Sequence, residues 1–217
     1  MRRKTQISRL DDRSHDLRHI YGMTGLRDTK KAQVRQALYD AALTQFRKAG
    51  YEDASVAAIC KAAGVAKGTF FNHFPTKAHV LAAWYEDAMQ TAELQSSAGA
   101  VRPLLESLQV MAENAVSLAS SEPVLWRAKH AYAPQSEDIQ RTERDADLRV
   151  LDQATAWVKD AQNRQEVRSD IEAEALSALY IAAVTGVIRQ WLSTGESFDL
   201  HHALKDRIRT LISLAAA

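Results

Sequence analysis

Three residues at the start of a short predicted helix, Lys67, Gly68 and Thr69, offer hydrogen-bonding groups that could read DNA. They follow Gly64, which tolerates the positive φ of a tight turn between two helices. Cys60 is a small apolar residue midway along the preceding helix, where a crossing helix needs room. In a helix-turn-helix, the first residues of the second helix reach base edges in the major groove. The spacing therefore favours a DNA-binding helix-turn-helix.

Helices are expected to hold these residues, because apolar residues recur with helical spacing from Thr29 onward and no segment alternates like a strand. Gly50 ends the first helix, and Ser169 and Glu172 fit a capping box at the start of the eighth. The predicted helices cover residues 29–49, 56–63, 67–73, 76–95, Pro103 to Leu118, Pro123 to Pro134, 136–163, Ser169 to Gly195, and 199–214.

Charge is divided unevenly along the chain. Residues 1–77 contain 15 Lys and Arg against 7 Asp and Glu, a local charge of +8, whereas the rest contains 13 against 20, a local charge of −7. Such asymmetry indicates that one end meets a polyanion, although a solvated charged face would look the same. We expect a basic flexible arm at 1–28, a helix-turn-helix domain at 29–75, and a helical ligand-binding and dimerisation domain at 76–217.

Other chemistry finds little support in the sequence. A single cysteine excludes an internal disulfide and a cysteine-based zinc site, and the adjacent His201 and His202 point about 100° apart on a helix. The chain lacks a G-x-S-x-G elbow, a phosphate-cradling loop and an H-E-x-x-H motif. No apolar run approaches the roughly 20 residues of a bilayer span, and the basic N-terminus lacks the apolar stretch of a secretory signal. We expect a cytoplasmic protein that is not an enzyme, with no metal, cofactor or membrane partner.

The segment 31–81 resembles the DNA-binding domain of the TetR family. In that family, a helix ending in F-x-x-x-G-[YF] precedes T/S-V-x-x-I-A-x-x-A-G-V-S-x-G-T-L-Y-x-H-F-x-x-K-x-x-L. The matching residues here are Phe46, Gly50, Tyr51, Ser55, Val56, Ile59, Ala63, Gly64, Val65, Gly68, Thr69, His73, Phe74, Lys77 and Leu81. The remainder resembles the family in the number, length and order of its helices. The resemblance implies an all-α, TetR-like fold: an N-terminal three-helix domain and a C-terminal helical domain that binds ligand and dimerises.

The same resemblance assigns roles within the motif. Lys67 and Thr69 are expected to contact bases or adjacent phosphates, and His73 and Lys77 to contact phosphates, which fix register and dominate affinity. The alternatives are a capped, non-contacting His73 and a solvated Lys77. The predicted DNA-binding set is Ser55, Lys67, Gly68, Thr69, Phe71, Asn72, His73 and Lys77.

Four positions depart from the family pattern. Phe71 replaces a phosphate-contacting tyrosine, and Ala66 replaces the usual serine N-cap of the recognition helix, which costs about 1 kcal/mol of local stability. Ala58 and His79 stand where acidic capping partners are usual. We therefore expect a recognition helix that is looser than typical before DNA orders it.

The last two predicted helices carry a wider apolar stripe than one flank of a small core requires. Part of the stripe is expected to pack against a second copy, the alternative being that both helices are central in the monomer core. The predicted dimer residues are Leu176, Tyr180, Val184, Val187, Ile188, Trp191, Leu204, Ile208 and Leu211.

The resemblance also implies a small-molecule cavity between the fourth and eighth helices. Candidate lining residues, which could equally be plain core, are Trp84, Met111, Trp126, His130, Trp157 and Tyr180. The leading hypothesis is a homodimeric repressor that a small-molecule effector releases from double-stranded DNA at a palindromic operator. The alternatives are a regulator of the same fold controlled by a protein partner or lacking a ligand, and an all-helical enzyme whose N-terminal match is incidental.

The N-terminal arm is expected to add DNA affinity without much specificity. Its first four charged residues, Arg2, Arg3, Lys4 and Arg9, are all cations, and its tip could reach phosphates or an adjacent minor groove. The alternative is that the true start is Met23 and the arm has no role.

Overall fold

The structure is a computed structural model that describes residues 13–97 and 102–217, with side chains described at 27–95 and 102–217. Helices make up almost all of this part of the chain. Within those ranges the α-helices are α1 (Arg13–Ala49), α2 (Val56–Ala63), α3 (Lys67–His73), α4 (Lys77–Ser97), α5 (Leu104–Ser121), α6 (Pro123–Tyr132), α7 (Glu137–Asn163), α8 (Ala173–Ser193) and α9 (Leu200–Ala215). A 3₁₀ turn, Ala133–Gln135, separates α6 from α7.

The first helix is longer than the apolar pattern indicated. Helix α1 begins at Arg13, not at Thr29, so most of the expected flexible arm is helical. The physical reason is that extending an established helix costs far less than starting one, so the regular segment after Thr29 supports the residues before it. Residues 1–12, which hold the predicted leading cations of the arm, lie outside the described residues.

Helices α1 to α3 share one small core. Leu38, Phe46, Ile59 and Phe70 are all fully buried, and together they hold α2 and α3 against α1. Gly64 adopts φ +68, and its N–H donates to the carbonyls of Cys60 and Lys61, so the turn uses the left-handed conformation that glycine tolerates best. The prediction of a glycine turn between two short helices is confirmed.

Helices α4 to α9 form the larger body, and α8 lies at its centre. By length and composition α8 could cross a bilayer, which corrects the expectation that no segment comes close to that size. Nine of its residues are buried inside the protein, including Leu176, Val187 and Trp191. Packing within the body therefore accounts for the buried part of its apolar surface.

The predicted capping box at Ser169 is wrong. Helix α8 begins at Ala173, and Glu172 caps it without a side-chain hydrogen bond. The preceding segment is held by other bonds: the Arg168 N–H donates to the Ala215 carbonyl at 2.9 Å, and Gln162 Nε2 donates to the carbonyls of Arg168 and Ile171. These tertiary bonds tie the connection between α7 and α8 to the end of α9 and take precedence over the local capping pattern.

Candidate nucleic-acid interface and effector cavity

The recognition helix α3 has one buried side and one exposed side. Phe70 is fully buried against α1 and α2. On the opposite side Lys67, Gly68, Phe71 and Asn72 are all exposed. The structure thus brings four of the predicted DNA-binding residues onto one accessible surface. Thr69 and His73 are half-buried at its edges.

The exposed side of α3 combines an ammonium, a carboxamide and an apolar ring. Phe71 is 45% exposed, unusually open for a large apolar side chain. Its ring lies edge-on to that of Phe70, with 5.4 Å between centroids. An exposed ring can contact a thymine methyl group, while lysine and asparagine can bond to guanine and adenine edges. This surface is chemically suited to the major groove.

Capping differs between the two helices of the motif. The Ser55 hydroxyl accepts a hydrogen bond from the Ala58 N–H at 3.1 Å, which caps α2. Helix α3 begins after Ala66, which makes no side-chain cap bond. The expected lack of a capped start at the recognition helix is confirmed, and Ser55 has a structural role besides its predicted DNA contact.

Lys77 ties the start of α4 to the turn between α1 and α2. Its Nζ donates to the carbonyl oxygens of Tyr51 at 2.6 Å, Glu52 at 3.0 Å and Ala54 at 3.0 Å. The ammonium also lies 4.7 Å from the Tyr51 ring centroid. An ammonium has three N–H donors, and all three are engaged here. The predicted phosphate contact stays a prediction, and sequence reasoning missed this positioning role.

His79 links the recognition helix region to the body. Its Nδ1 lies 3.0 Å from the Thr76 hydroxyl, and its Nε2 lies 2.9 Å from an Asp138 carboxylate oxygen at the start of α7. The histidine that replaces an acidic capping residue therefore holds α4 against α7.

Both ends of α6 contact the DNA-binding helices. Glu122, just before α6, accepts hydrogen bonds from the Arg47 guanidinium of α1 at distances down to 2.6 Å. At the other end, the ring of Tyr132 lies 4.3 Å from that of Tyr51, measured between centroids. A third link joins α1 to α4, where the Tyr39 hydroxyl donates to Asp87 at 2.8 Å. Movement of α6 would therefore reach the DNA-binding helices directly.

A cavity of about 400 Å³ lies among α4, α5, α6, α7 and α8. Its volume falls in the range of small-molecule sites, roughly 300 to 1,000 Å³. Of the six predicted ligand residues, four line the cavity, namely Met111, Trp126, His130 and Tyr180. Trp84 lies outside the lining, where it packs edge-on to Trp126 with 5.9 Å between centroids, and Trp157 is half-buried elsewhere on α7.

A buried ion pair forms part of the cavity wall. The Lys129 side chain is only 2% exposed, and its Nζ lies 2.5 Å from Glu143 Oε1. The ammonium also lies 4.2 Å from the Tyr85 ring centroid and 5.2 Å from that of Trp126. Burial lowers the pKa of Lys129, while Glu143 opposes the shift. The helical periodicity did not predict that Lys129 is buried, because charged residues are rarely buried in proteins.

Two other polar groups of the cavity wall have no hydrogen-bond partner. They are the Trp126 indole N–H and His130 Nε2, both buried. Burial, with the nearby positive charges of Lys129 and Arg189, lowers the pKa of His130 to about 3, so its imidazole is neutral at pH 7. The Tyr180 hydroxyl, in contrast, donates to the Leu108 carbonyl at 2.9 Å. Buried polar groups without hydrogen-bond partners are uncommon in proteins, so a ligand that bonds to these two groups would be stabilised.

The predicted dimer residues lie mainly inside the monomer. Eight of the nine are buried there, namely Leu176, Tyr180, Val184, Val187, Ile188, Trp191, Leu204 and Ile208, and Leu211 is half-buried. Tyr180, Val184 and Ile188 line the cavity. A second copy cannot reach these side chains without unpacking the monomer. A dimer built from α8 and α9 must use their other faces, where Leu179 is 58% and Leu214 is 73% exposed.

Comparison with known proteins identifies the family. Residues 38–84 match the family model described as bacterial regulatory proteins, tetR family. The chain is 24% identical over 192 residues to the HTH-type transcriptional regulator AcrR of Shigella flexneri, covering 84% of this chain and 89% of AcrR. Residues 38–84 therefore form a TetR-family DNA-binding domain. It is also 28% identical over 169 residues to the transcriptional repressor DhaR of Mycobacterium sp. strain GP1, covering 73% of this chain and 82% of DhaR.

Solved structures show the same fold over most of the chain. The transcriptional regulator FadR of Bacillus subtilis, solved in complex with stearoyl-CoA, aligns with a TM-score of 0.64 at 18% identity, over 82% of this chain and 97% of FadR. The predicted TetR-like, all-α fold is confirmed. The protein is a DNA-binding transcriptional regulator, and its relatives are regulators rather than enzymes, which removes the enzyme alternative.

Proposed function

We propose that this TetR-family protein is a cytoplasmic, homodimeric repressor that a small-molecule effector releases from a palindromic operator. The observation that carries the proposal is the position of α6. Three of its residues, Trp126, Lys129 and His130, line the cavity, and residues at its two ends contact the DNA-binding helices. Helix α6 therefore joins the cavity to α1 and to the turn before α2. The repressor DhaR and the stearoyl-CoA complex of FadR support this function by similarity.

DNA binding is assigned to the exposed side of α3. Lys67 and Asn72 offer hydrogen bonds to base edges or phosphates, and Phe71 offers an apolar contact. Thr69 and His73 flank this surface, and the excess of basic residues in 1–77 provides the general attraction to DNA.

Dimerisation is assigned to the outward faces of α8 and α9. On α8 the residues Ala175, Ala178, Leu179, Ala182 and Gly186 are exposed and almost entirely apolar. Such a face on a long, apolar helix is suited to a second copy related by two-fold symmetry. A two-fold protein reads two half-sites, which is the reason for proposing a palindromic operator.

Release follows from a difference in affinity. An effector shifts the protein off DNA only if it binds more tightly to the conformation whose recognition helices do not fit the operator. A ligand against Trp126 and His130 would displace α6, and the Arg47–Glu122 and Tyr51–Tyr132 contacts would carry that displacement to α1 and the turn before α2. Helix α4 provides a second route, because it begins at Lys77 and lines the cavity through Tyr85 and Met89.

The test begins with duplexes selected from a random-sequence pool by the purified protein. Binding of the best duplex is then measured by fluorescence anisotropy for the wild type and for Lys67→Ala, Asn72→Ala and the surface control Lys159→Ala. We expect both α3 variants to lose at least about tenfold in affinity, or 1.4 kcal/mol, and the control to match the wild type. Failure to enrich any sequence, or α3 variants that bind as the wild type does, would overturn the DNA-reading assignment.

A further inference from the structure

The lining of the cavity has a small excess of cationic residues. Four cationic residues line it, Lys129, Arg144, Arg149 and Arg189, against three acidic ones, Glu93, Glu143 and Asp147. Lys129 is paired with Glu143, and Arg149 with Glu86 and Glu93. Among the described residues Arg144 and Arg189 have no ion pair, whereas Asp147 is the one unpaired acid of this lining. The surplus is therefore positive, and it is carried by guanidinium groups.

The unpartnered polar atoms lie near Lys129 and Arg189. Trp126 and His130 are one helical turn apart on α6, with 5.9 Å between ring centroids, and both line the cavity. The indole N–H is a donor only, so its missing partner is an acceptor. Arg189 is close enough to lower the pKa of His130. A neutral donor, an imidazole and a free guanidinium together are complementary to an oxygen-rich, negatively charged group.

His130 and Arg189 also lie where the cavity meets the protein surface. A wider surface pocket of about 760 Å³ adjoins the cavity. The residues that line both spaces are His130, Gln140, Glu143 and Arg189. A charged group placed there keeps contact with water, while the buried part of the lining includes the apolar residues Met89, Met111, Ala112 and Ile188. Ligand sites commonly combine an apolar interior with a few polar groups that fix orientation.

We propose that the cavity binds an apolar organic acid, with its carboxylate against Arg189, His130 and the Trp126 N–H and its hydrocarbon body among the methionine, alanine and isoleucine side chains. The guanidinium bonds the carboxylate, and the indole N–H and the imidazole gain the partners that they lack. This inference rests on the proposed function, since it names the ligand class of the same cavity. It excludes cationic ligands, whose only unpaired acidic partner would be Asp147.

Matched probes of one shape and three charges test the proposal. Titration calorimetry at pH 7.5 compares 2-naphthoate, its neutral amide 2-naphthamide, and 2-naphthylmethylamine, which is a cation. We expect 2-naphthoate to bind at least about tenfold more tightly than either of the others. Equal affinities, a preference for the amine, or no binding of 2-naphthoate at about 1 mM would overturn the assignment.

Variants locate the carboxylate. Arg189→Gln and Trp126→Phe should each reduce the preference for 2-naphthoate over the amide, because each removes a group that would bond the carboxylate. Arg209→Gln, an exposed arginine of α9 that bonds only Asp206 in the structure, serves as the matched control and should keep the full preference. Thermal melts of each variant verify the fold. A preference unchanged by both cavity variants would contradict the proposed orientation.

DNA binding measured on the same preparations separates the two levels of the proposal. Binding of 2-naphthoate without any change in operator affinity would leave the ligand class standing and remove the effector role. Operator binding by a protein that fails to bind 2-naphthoate would leave DNA recognition standing and overturn the ligand class.

Discussion

Two lysine side chains of this protein are held in defined environments. Lys77 matches a phosphate-contacting position of the family, yet its ammonium bonds three backbone carbonyls. Lys129 occupies an ordinary helical position, yet it is buried beside the cavity. A lysine buried or bonded in this way has a defined environment, so its removal has consequences that a solvated lysine would not show.

Replacing Lys77 should lower stability before it changes the electrostatics of DNA binding. Lys77→Ala leaves three carbonyls without their donor, and we expect a loss of about 1 to 3 kcal/mol in the free energy of unfolding, measured by urea denaturation. Lys159→Ala on α7 is the control. In a salt titration with operator DNA, we expect the slope of the wild type, because the ammonium is fully engaged within the protein. A slope smaller by about one unit would show a direct phosphate contact instead.

The neutral state of His130 should appear as a pH dependence of stability. Its folded pKa of about 3 lies below the usual 6.5, so between these values the unfolded chain binds a proton that the folded chain does not. Stability is therefore lost as the pH falls below 6.5, by up to about 1.4 kcal/mol per pH unit from this group. Urea denaturation at pH 7.5 and pH 5 should show a smaller loss for His130→Asn than for the wild type. Equal losses would place the histidine in a hydrated environment.

Some of the helices could be predicted from the local sequence, whereas features that depend on tertiary contacts could not. Glycine turns and helical apolar spacing predicted α2 and α3 with their observed bounds, because each depends on local chemistry. The capping box at Ser169 failed because contacts with α9, distant in sequence, determine that segment. The cavity was expected from family resemblance, but its charged groups and the direction that α8 presents to the core depend on tertiary packing that periodicity alone does not specify.

The start of the recognition helix can be stabilised by a single substitution. Helix α3 lacks a side-chain cap at Ala66. Ala66→Ser should supply the missing acceptor and stabilise the helix by about 0.5 to 2 kcal/mol, observed as slower amide hydrogen exchange within residues 67–73. Ala57→Ser, also exposed but inside α2, is the control and should not slow exchange there. Unchanged exchange in Ala66→Ser would mean that α3 is already fully ordered by its packing.

Helix α6 contacts both the cavity and the DNA-binding helices. If it couples the cavity to the DNA-binding helices, operator binding should change the tryptophan fluorescence of the protein, because Trp84 and Trp126 pack edge-on beside the cavity. Tyr132→Leu removes the ring contact with Tyr51 and should reduce this response while operator binding persists. Trp126→Phe assigns the signal. A full response in Tyr132→Leu would show that the signal travels through α4 instead.

The exposed apolar faces of the monomer determine where a dimer interface can form. Leu179 on α8 is 58% exposed and Leu148 on α7 is 57% exposed, so the two make a matched pair on different faces. Leu179→Glu should convert dimers to monomers, whereas Leu148→Glu should leave dimers intact, as measured by light scattering after size-exclusion chromatography. Dimers that survive Leu179→Glu and dissociate with Leu148→Glu would move the interface to α7.

We propose that the contents of the cavity control DNA affinity. A substitution that fills the cavity tests this proposal even when the ligand is unknown. Ala115 on α5 lines the cavity, and Ala156 is exposed on α7 away from it. Operator affinity is measured by anisotropy for Ala115→Phe and Ala156→Phe, after both are shown to be folded. We expect Ala115→Phe to bind the operator at least about tenfold more weakly than the wild type, and Ala156→Phe to bind it normally. A folded Ala115→Phe protein with wild-type operator affinity would contradict this proposal.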